Sequence, residues 1–370
     1  MDHECEVVAR NNVLEDMLLH DSAAPTCLPF SLLKDITNDF SDDQLIGRGG
    51  FATVYKGRLW SGSVAVKKLH SNIVHIDEGK FMNEVECLMK VRHENIVRFL
   101  GYCSEGHGRI SEYQDASSGH IEWIERCQII KGICLGLYYL HKMSILHMDL
   151  KPANILLDYN MVPKIADFGL ARWFGENQIP AITKNIVGTR GYMAPEYRST
   201  GVMTDKSDIY SLGVIIMEIL TGKKEHCEEN HGHVACACVL DSWKSRLEPS
   251  SADTALAQIE ACAAISMDCM DPEPENRPVI QDVLDKLNKI KLTSDGFSEN
   301  TERSMLVAQV SWRMGMTHHH DLTWRGEKGG KRSKRPSRQS LAQSGRNALY
   351  WQPPLSHSHA CMLQVDCAAH

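Results

Sequence analysis

The chain has 370 residues, a net charge of −7 and an apolar content of 43%. A chain of this length can bury one large core or two lobes. Residues 296–370 contain ten lysines or arginines and five acidic residues, so the negative charge is concentrated in residues 1–295. An acidic body of this kind argues against a nucleic-acid-binding protein.

Apolar segments are short throughout the sequence. The longest lies near residues 212–220 and is too short for a bilayer, so we expect no transmembrane span. The first ten residues are acidic and do not begin Met-Gly, so we expect neither an export signal nor N-myristoylation. The 13 cysteines occur singly or widely spaced, which favours reduced thiols. We therefore expect a cytoplasmic or nuclear protein that reaches the plasma membrane only through a partner or an unrecognised lipid anchor.

The first half of the chain has the pattern of a small strand-rich lobe. Residues 1–44 are expected to form an N-terminal extension ahead of it. The stretches LIGRGGFATVYKGRL and SVAVKKL favour strands, because β-branched and aromatic residues lie between turn formers. A helix follows, with Phe81, Val85 and Leu88 on one face, and NIVRFLGYC favours a further strand. This lobe is expected over about residues 45–110.

The second half is predicted to be helical. The stretches IERCQIIKGICLGLYYLH and SDIYSLGVIIMEILTG are apolar nearly all round, as in helices buried inside a large domain. A helical lobe is therefore expected over about residues 120–292. The remaining residues, 293–370, have little apolar periodicity and are predicted to be a disordered tail. Its basic cluster KRSKR is interpreted as a solvated tail, with a localisation signal or anionic-surface patch as the alternative.

A glycine-rich stretch, GRGGFATV at residues 47–54, lies between two predicted strands. Glycines at such a place allow the backbone to approach a phosphate without a Cβ clash. A glycine-containing hairpin without a ligand would have the same appearance. Ala52 stands where the full G-x-G-x-x-G pattern has its third glycine, so we expect a looser loop that still binds.

Lys67 ends the apolar strand VAVK. A lysine there would be poorly solvated unless an anion met it. A phosphate is one candidate, and Glu84 is the other, because it lies beside the core stripe of the following amphipathic helix. The alternative is that both residues lie on the surface.

Four residues suited to phosphoryl transfer fall within residues 147–171: Asp149, Lys151, Asn154 and Asp167. This reaction requires little covalent chemistry but close control of charge. One carboxylate can orient a hydroxyl proton, and a lysine can neutralise the moving phosphoryl group. The second carboxylate and the amide oxygen can hold Mg²⁺, which prefers oxygen ligands.

Glu196 lies in the apolar stretch GTRGYMAPEY and requires a buried partner. Arg277 is the candidate. We expect this pair to be structural and not catalytic.

In their order and spacing these motifs resemble the eukaryotic protein kinases over residues 45–292. The stretches FSLLKDITNDFSDDQLIGRGGFATVYKG, NIVRFLGYC and GTRGYMAPEY are similar to the plant receptor-like kinases, while DLKPAN and GTRGY resemble Ser/Thr-specific members. The resemblance implies a two-lobed α+β fold, ATP and Mg²⁺, catalytic roles for Asp149, Lys151 and Asn154, and metal binding by Asn154 and Asp167. The ATP-binding residues it implies are Ile46, Gly47, Gly49, Val54, Ala65, Lys67, Glu84 and Leu156.

Met148 departs from the family pattern. Family members usually have an arginine here, which holds a phosphorylated activation loop. Methionine cannot pair with a phosphate, so the chain resembles the non-RD kinases, a group associated in plants with innate immune signalling. A phosphate on the candidate regulatory residues Thr183 or Thr189 is then not required for activity.

The stretch between GYCSEG and IEWIERCQII departs further from the family pattern, because it is too short. Family members fit a fifth strand, a hinge over adenine and a short helix here, whereas this chain has only HGRISEYQDASSGH. The alternative to an active Ser/Thr kinase is therefore a pseudokinase that acts as an interaction module. Leu88, Phe99, His147 and Phe168 nevertheless match the hydrophobic column that joins the lobes of active members. The expected partners are ATP, a protein substrate and a membrane receptor complex.

Overall fold

The structure is a computed structural model. It describes residues 13–20, 22–49, 52–70, 74–103, 106–107, 121–158, 160–174, 181–222, 239–247, 252–290 and 359–365. For residues 74–80, 106–107 and 359–365 only the backbone is described. In these parts of the chain, no helix has both the length and the apolar character that crossing a bilayer requires.

The N-terminal lobe is built around one sheet. Its helices are α1 (residues 13–19), α2 (Phe30–Ile36) and α3 (Val74–Lys90). Its strands are β1 (Thr26–Cys27), β2 (Leu45–Arg48), β3 (Ala52–Arg58), β4 (Ser63–Leu69), β5 (Arg98–Cys103) and β6 (Gly106–His107), joined by β13 (His359–Val365) from the far end of the chain. The strand order is β1-β5-β13-β4-β3-β2, and β6 pairs with β13.

The N-terminal extension packs into the core of this lobe. Leu32 and Leu33 of α2 are 1% and 0% exposed and belong to one apolar cluster with Val66 of β4 and Leu100 of β5. Burying a leucine side chain contributes about 1.5–3 kcal/mol, so this contact stabilises the lobe. The extension is therefore continuous with the lobe that the sequence predicts to begin at residue 45.

Glycine at position 101 permits part of this docking. Thr26 of β1 is the register partner of Gly101 in β5, and a Cβ at residue 101 would collide with the Thr26 carbonyl oxygen. Only glycine therefore allows β1 to pair along this part of β5.

The C-terminal lobe is mainly helical. Its helices are α4 (Trp123–Lys142), α5 (Pro195–Thr200), α6 (Asp205–Thr221), α7 (residues 239–244), α8 (Ala252–Cys269) and α9 (Ile280–Lys289). Short strands pair in twos: β7 (Ile145–Leu146) with β10 (Arg172–Trp173), β8 (Ile155–Leu157) with β9 (Pro163–Ile165), and β11 (Ala181–Ile182) with β12 (Val202–Met203).

The centre of this lobe is the packing of α4, α6, α8 and α9. Ile133 of α4, Leu212 of α6, Ile259 of α8 and Val283 of α9 are at most 1% exposed and share one apolar cluster. α6 ends at Gly222, which adopts the left-handed conformation (φ 68°) that favours glycine after a helix. A small β-rich lobe followed by a larger helical lobe confirms the fold class predicted from the sequence.

One part of the tail differs from the sequence-based expectation of disorder over residues 293–370. Residues 359–365 form β13, a strand inside the N-terminal sheet. The physical reason is that β4 and β5 each present an open hydrogen-bonding edge, and an uncharged extended segment can pair with both. The basic cluster of the tail lies outside the described residues, and so does the shortened stretch (residues 107–120) apart from His107.

Candidate active site

Lys67 lies between two carboxylates. Its Nζ is 2.8 Å from Glu84 Oε1 of α3 and 2.9 Å from Asp167 Oδ1. Lys67 and Glu84 are 3% and 0% exposed. The sequence predicts that Lys67 pairs with Glu84. The structure contains this pair and adds Asp167 as a second partner of Lys67.

The charges of this group support one another. Burial lowers the pKa of Lys67, but the carboxylates of Asp167 and Glu84 outweigh it, so the net shift is upward. Burial raises the pKa of Asp167, and the nearby ammonium of Lys67 reverses this and lowers that pKa to about 2. Lys67 and Asp167 are thus both charged at neutral pH, as binding a metal-bound phosphate requires.

The Asp149 carboxylate is held by Lys151, Thr189 and Asn154, whose Nδ2 donates to Oδ2 at 3.3 Å. Its Oδ2 accepts a hydrogen bond from Lys151 Nζ at 2.9 Å, and its Oδ1 accepts one from the Thr189 hydroxyl at 2.8 Å. Lys151 Nζ also donates to Thr189 Oγ1 at 3.0 Å. The sequence places Asp149 and Lys151 together, whereas it presents Thr189 only as a candidate phosphorylation site. The structure places this threonine at the carboxylate itself.

Asn154 is oriented by the same loop. Its Nδ2 donates to the Asp149 backbone carbonyl at 2.8 Å, which leaves the amide oxygen to face elsewhere. The backbone N–H of Ala166, next to Asp167, donates to the Asn154 backbone carbonyl at 2.9 Å. This bond ties together the segments that carry the two candidate metal ligands.

The side chains of Asn154 and Asp167 fit a hard divalent cation, because each offers an oxygen ligand. The described residues contain no cluster of three or more His, Cys, Asp or Glu side chains that could hold a metal. A cation at Asn154 and Asp167 would therefore take the rest of its shell from phosphate and water oxygens, as Mg²⁺ commonly does.

Asp208 is a site residue that the sequence analysis missed. It is fully buried in α6, and its Oδ2 and Oδ1 accept the backbone N–H groups of His147 and Met148, both at 2.8 Å. Met148 adopts a left-handed backbone conformation (φ 63°), which is strained for a residue with a side chain. Asp208 thus fixes the backbone directly before Asp149. The available signal was a carboxylate near the start of the mostly apolar helix SDIYSLGVIIMEIL, which also carries Glu218.

The predicted hydrophobic column is packed. Leu88, Phe99 and Phe168 share one buried cluster. The rings of His147 and Phe168 meet edge to face with centroids 5.0 Å apart, and His147 Nε2 donates to the Ala166 carbonyl at 3.0 Å. Phe168 is fully buried, so the neighbouring Asp167 is held towards Lys67.

Met148 packs in an apolar cluster and is 7% exposed. Its neighbours in this cluster include Phe174 of the activation segment (residues 167–197) and Ala194 and Tyr197 near its end. Thr183, the other candidate phosphorylation site, is half-buried, and its backbone N–H donates to the Gly201 carbonyl at 2.9 Å. Apolar contacts therefore connect the segment to the catalytic loop at position 148.

The predicted pair of Glu196 and Arg277 forms with two bonds. Arg277 donates from Nη1 to Glu196 Oε1 at 2.9 Å and from Nη2 to Oε2 at 2.8 Å. Arg277 is 1% exposed and also donates to the Asp271 and Lys206 backbone carbonyls. A paired, hydrogen-bonded guanidinium of this kind anchors the end of the activation segment and lies apart from the reacting groups.

The predicted nucleotide-binding residues lie on both lobes. In the N-terminal lobe, Val54 of β3 is the register partner of Lys67, and Ala65 is two residues before Lys67 on β4, so all three share one face of the sheet. Ile46 and Gly47 lie on β2, and the N–H of Gly49 donates to the Ala52 carbonyl at 2.7 Å, which joins the end of β2 to the start of β3. In the C-terminal lobe, Leu156 lies half-buried on β8.

Comparison with known proteins accounts for this arrangement. The family model described as protein kinase domain matches residues 40–287. The chain is 38% identical to cysteine-rich receptor-like protein kinase 34 of Arabidopsis thaliana over 281 residues, which cover 69% of this chain and 42% of that protein. It is 39% identical to a G-type lectin S-receptor-like serine/threonine-protein kinase of the same plant over 304 residues. These residues cover 74% of this chain and 35% of that protein.

The chain thus spans less than half of the length of these relatives. The match to the family model nevertheless covers more than half of this chain and includes Lys67, Asp149 and Asp167. The chain therefore belongs to the protein kinase domain family.

Proposed function

We propose that this protein is a serine/threonine protein kinase that transfers the γ-phosphoryl group of ATP to protein hydroxyls with Mg²⁺. The observation that carries the proposal is the presence of two clusters of paired charges in one site. Lys67 is paired with Glu84 and Asp167, and Asp149 is paired with Lys151. The relatives named as serine/threonine-protein kinases support the choice of hydroxyl.

Each residue has a role that follows from its contacts. Asp149 orients the substrate hydroxyl and accepts its proton, while Lys151, 2.9 Å from the same carboxylate, offsets the charge of the moving phosphoryl group. Lys67, held by Glu84, binds the phosphates of ATP. Asn154 and Asp167 would hold Mg²⁺, which would supply positive charge to the phosphate oxygens when bound.

We propose further that activity does not depend on phosphorylation of the activation segment. In kinases that use such a switch, a phosphate is bound by cationic side chains. Here position 148 carries a buried methionine within an apolar cluster that contains Phe174 and Tyr197. Packing therefore takes the place of an ion pair, as in the non-RD group.

The receptor-like relatives support a role in plant receptor-linked signalling. The resemblance to the non-RD kinases at Met148 is the reason to include immune signalling in the proposal. In this proposal the protein acts in the cytoplasm, and a membrane receptor complex recruits it to the plasma membrane. Its substrate is a protein that presents serine or threonine.

The test uses the purified full-length protein with ATP, Mg²⁺ and a mixture of serine, threonine and tyrosine peptides. Asp149→Asn is the catalytic control, because it removes the proton acceptor and keeps the size of the side chain. Phosphorylation of serine or threonine peptides that Asp149→Asn abolishes supports the proposal.

A thermal shift with ATP and Mg²⁺ distinguishes the alternative, because a ligand that binds the folded state raises the melting temperature. Nucleotide binding without peptide phosphorylation would identify a pseudokinase. The shortened stretch after β5 is the reason to consider this alternative. The absence of both effects would overturn nucleotide use altogether.

A further inference from the structure

The sheet of the N-terminal lobe is completed by a strand from the far end of the chain. β13 runs antiparallel to both β4 and β5 and has five register partners on each. On their other sides, β4 pairs with β3, and β5 pairs with the two residues of β1. Among the strands that the structure describes, β13 alone joins the two halves of the sheet.

The strands on either side of β13 are not suited to be free edges. Val66 of β4 is 0% exposed, and Leu100 and Cys103 of β5 are 2% and 0% exposed. The backbone of α2 also approaches β13 and covers this part of the sheet. Without a strand in the gap, the N–H and C=O groups of β4 and β5 that face it would lose their partners in β13. This position therefore requires an extended segment.

The chain that directly follows β5 contributes little to this position. Within the described residues, Gly106 and His107 form a two-residue strand that pairs with β13 in parallel, and the next element, α4, begins at Trp123. The strand is supplied from beyond α9 after a connection of 69 residues, 290–358. A connection of this length is tolerated, because the entropy cost of closing a loop grows slowly with its length.

We propose that the gap between β4 and β5 is a binding site for an extended peptide strand, and that residues 359–365 of the same chain are its ligand. Main-chain hydrogen bonds to both neighbours provide the recognition, as in other cases of strand addition to a sheet. Met362 is the register partner of Lys67, so the bound strand supports the part of β4 that carries this lysine. The strand-binding site is independent of whether the protein transfers phosphate.

The unmodified protein already offers a probe of this pairing, since Cys361 is the register partner of Cys103. Paired Cα atoms in antiparallel strands lie about 4.5–5.5 Å apart, within the range that a disulfide spans. Mild oxidation of the full-length protein with diamide removes two electrons and two protons from the two thiols. The expected product, identified by peptide mass spectrometry, is a Cys103–Cys361 disulfide within one chain.

A mixture of isotopically light and heavy protein extends this test. A disulfide between light and heavy copies would overturn the assignment of the strand to its own chain. Linkage of Cys361 to cysteines other than Cys103 would overturn the site itself.

Hydrogen exchange on full-length variants provides the second test. Leu363→Pro removes a backbone N–H from a strand paired on both sides, whereas Leu363→Ala keeps it and serves as the matched control. We expect amide exchange in β4 and β5 to accelerate at least tenfold in Leu363→Pro only, with α8 unchanged. A synthetic peptide of residues 359–365 should restore protection to Leu363→Pro, and the same peptide with proline at its fifth position should not.

Equal exchange in Leu363→Pro, Leu363→Ala and the unmodified protein would contradict the proposal. If Leu363→Pro prevents folding, the disulfide pattern of the unmodified protein still decides. Because neither test measures phosphate transfer, an inactive protein with a Cys103–Cys361 disulfide would reject the proposed kinase activity and retain the strand site.

Discussion

Thr189 donates a hydrogen bond to Asp149 Oδ1 at 2.8 Å, so a side chain of the activation segment is bound directly to the candidate catalytic carboxylate. Lys151 donates to both residues. A phosphate on Thr189 would place close to two negative charges against this carboxylate. Its position therefore fits a positioning residue better than an activating phosphorylation site.

Replacing the hydroxyl of Thr189 tests this relationship. Thr189→Val keeps the shape of the side chain but removes the donor, and we expect kcat/KM for peptide phosphorylation to fall about tenfold or more, which corresponds to about 1.4 kcal/mol. Thr189→Ser keeps the donor and should retain most of the activity. Equal rates for the valine and serine variants, at matched melting temperatures, would show that the hydrogen bond does not position Asp149.

The pairing of Lys67 with Asp167 predicts a dependence of stability on pH. The pKa of Asp167 is lowered from its usual 3.8 to about 2. A carboxyl whose pKa is lower in the folded state stabilises that state above its unfolded pKa, and this contribution is lost as the pH falls from about 4 to about 2. A shift of nearly two pKa units corresponds to at most about 2.5 kcal/mol.

Urea unfolding of Lys67→Met between pH 6 and pH 3 measures this contribution. The variant should be less stable than the unmodified protein at pH 6, and the difference in the free energy of unfolding should shrink towards pH 3. Lys56→Met, at an exposed position on β3, is the control and should give a difference that does not change with pH. A constant difference for Lys67→Met would contradict the charge pairing.

Asp208 is predicted to maintain the catalytic loop. Asparagine at this position keeps one acceptor oxygen but turns an amide N–H₂ towards the second backbone N–H, so one of the bonds to His147 and Met148 is lost. A hydrogen bond to a charged group contributes about 1.5–3 kcal/mol, so Asp208→Asn should lower both the melting temperature and kcat. Asp205→Asn, in the first turn of the same helix, should change either quantity only slightly. Similar losses in the two variants would argue against a specific role for Asp208.

Local patterns in the sequence predict much of the site. The strand ending at Lys67 and the apolar stripe beside Glu84 indicate an ion pair only 17 positions apart in the chain, and the structure forms it. Glu196 and Arg277 are 81 positions apart, and their pairing was predictable because a buried carboxylate requires a cation. In both cases a charge in an apolar setting indicates that a partner of opposite charge is required, and a candidate for it was available in the sequence.

Other contacts depend on the three-dimensional arrangement and leave weaker signals. Thr189 meets Asp149 only because the activation segment folds back over the catalytic loop, and a threonine in a polar segment has no distinctive pattern. The spacing of Leu32, Leu33 and Ile36 indicates an amphipathic helix, but not the surface that it covers. β13 is the extreme case, because a seven-residue strand pairs with segments hundreds of positions away and the hydrogen bonds are made by the backbone, which carries no residue preference.

Met148 provides the sharpest regulatory prediction. Its side chain is buried in one apolar cluster with Phe174 and Tyr197, so we expect packing to hold the activation segment to the catalytic loop without a phosphate. If the protein is active, phosphatase treatment should leave the rate of peptide phosphorylation within about tenfold, equivalent to about 1.4 kcal/mol in the barrier. A larger loss would show that phosphorylation governs the enzyme and that packing at Met148 does not replace it.

Substitutions at position 148 separate packing from charge. Met148→Leu conserves volume and should cost less than about 1.5 kcal/mol, with activity and phosphatase resistance retained. Met148→Arg places a cation among Leu146, Phe174 and Ala194, and an unpaired buried charge is strongly unfavourable, so the melting temperature and the rate should both fall. Phosphorylation of Thr183 could offset this loss only if its phosphate reached the new guanidinium. A Met148→Arg protein that is as stable and active as Met148→Leu before phosphorylation would contradict the apolar role of this position.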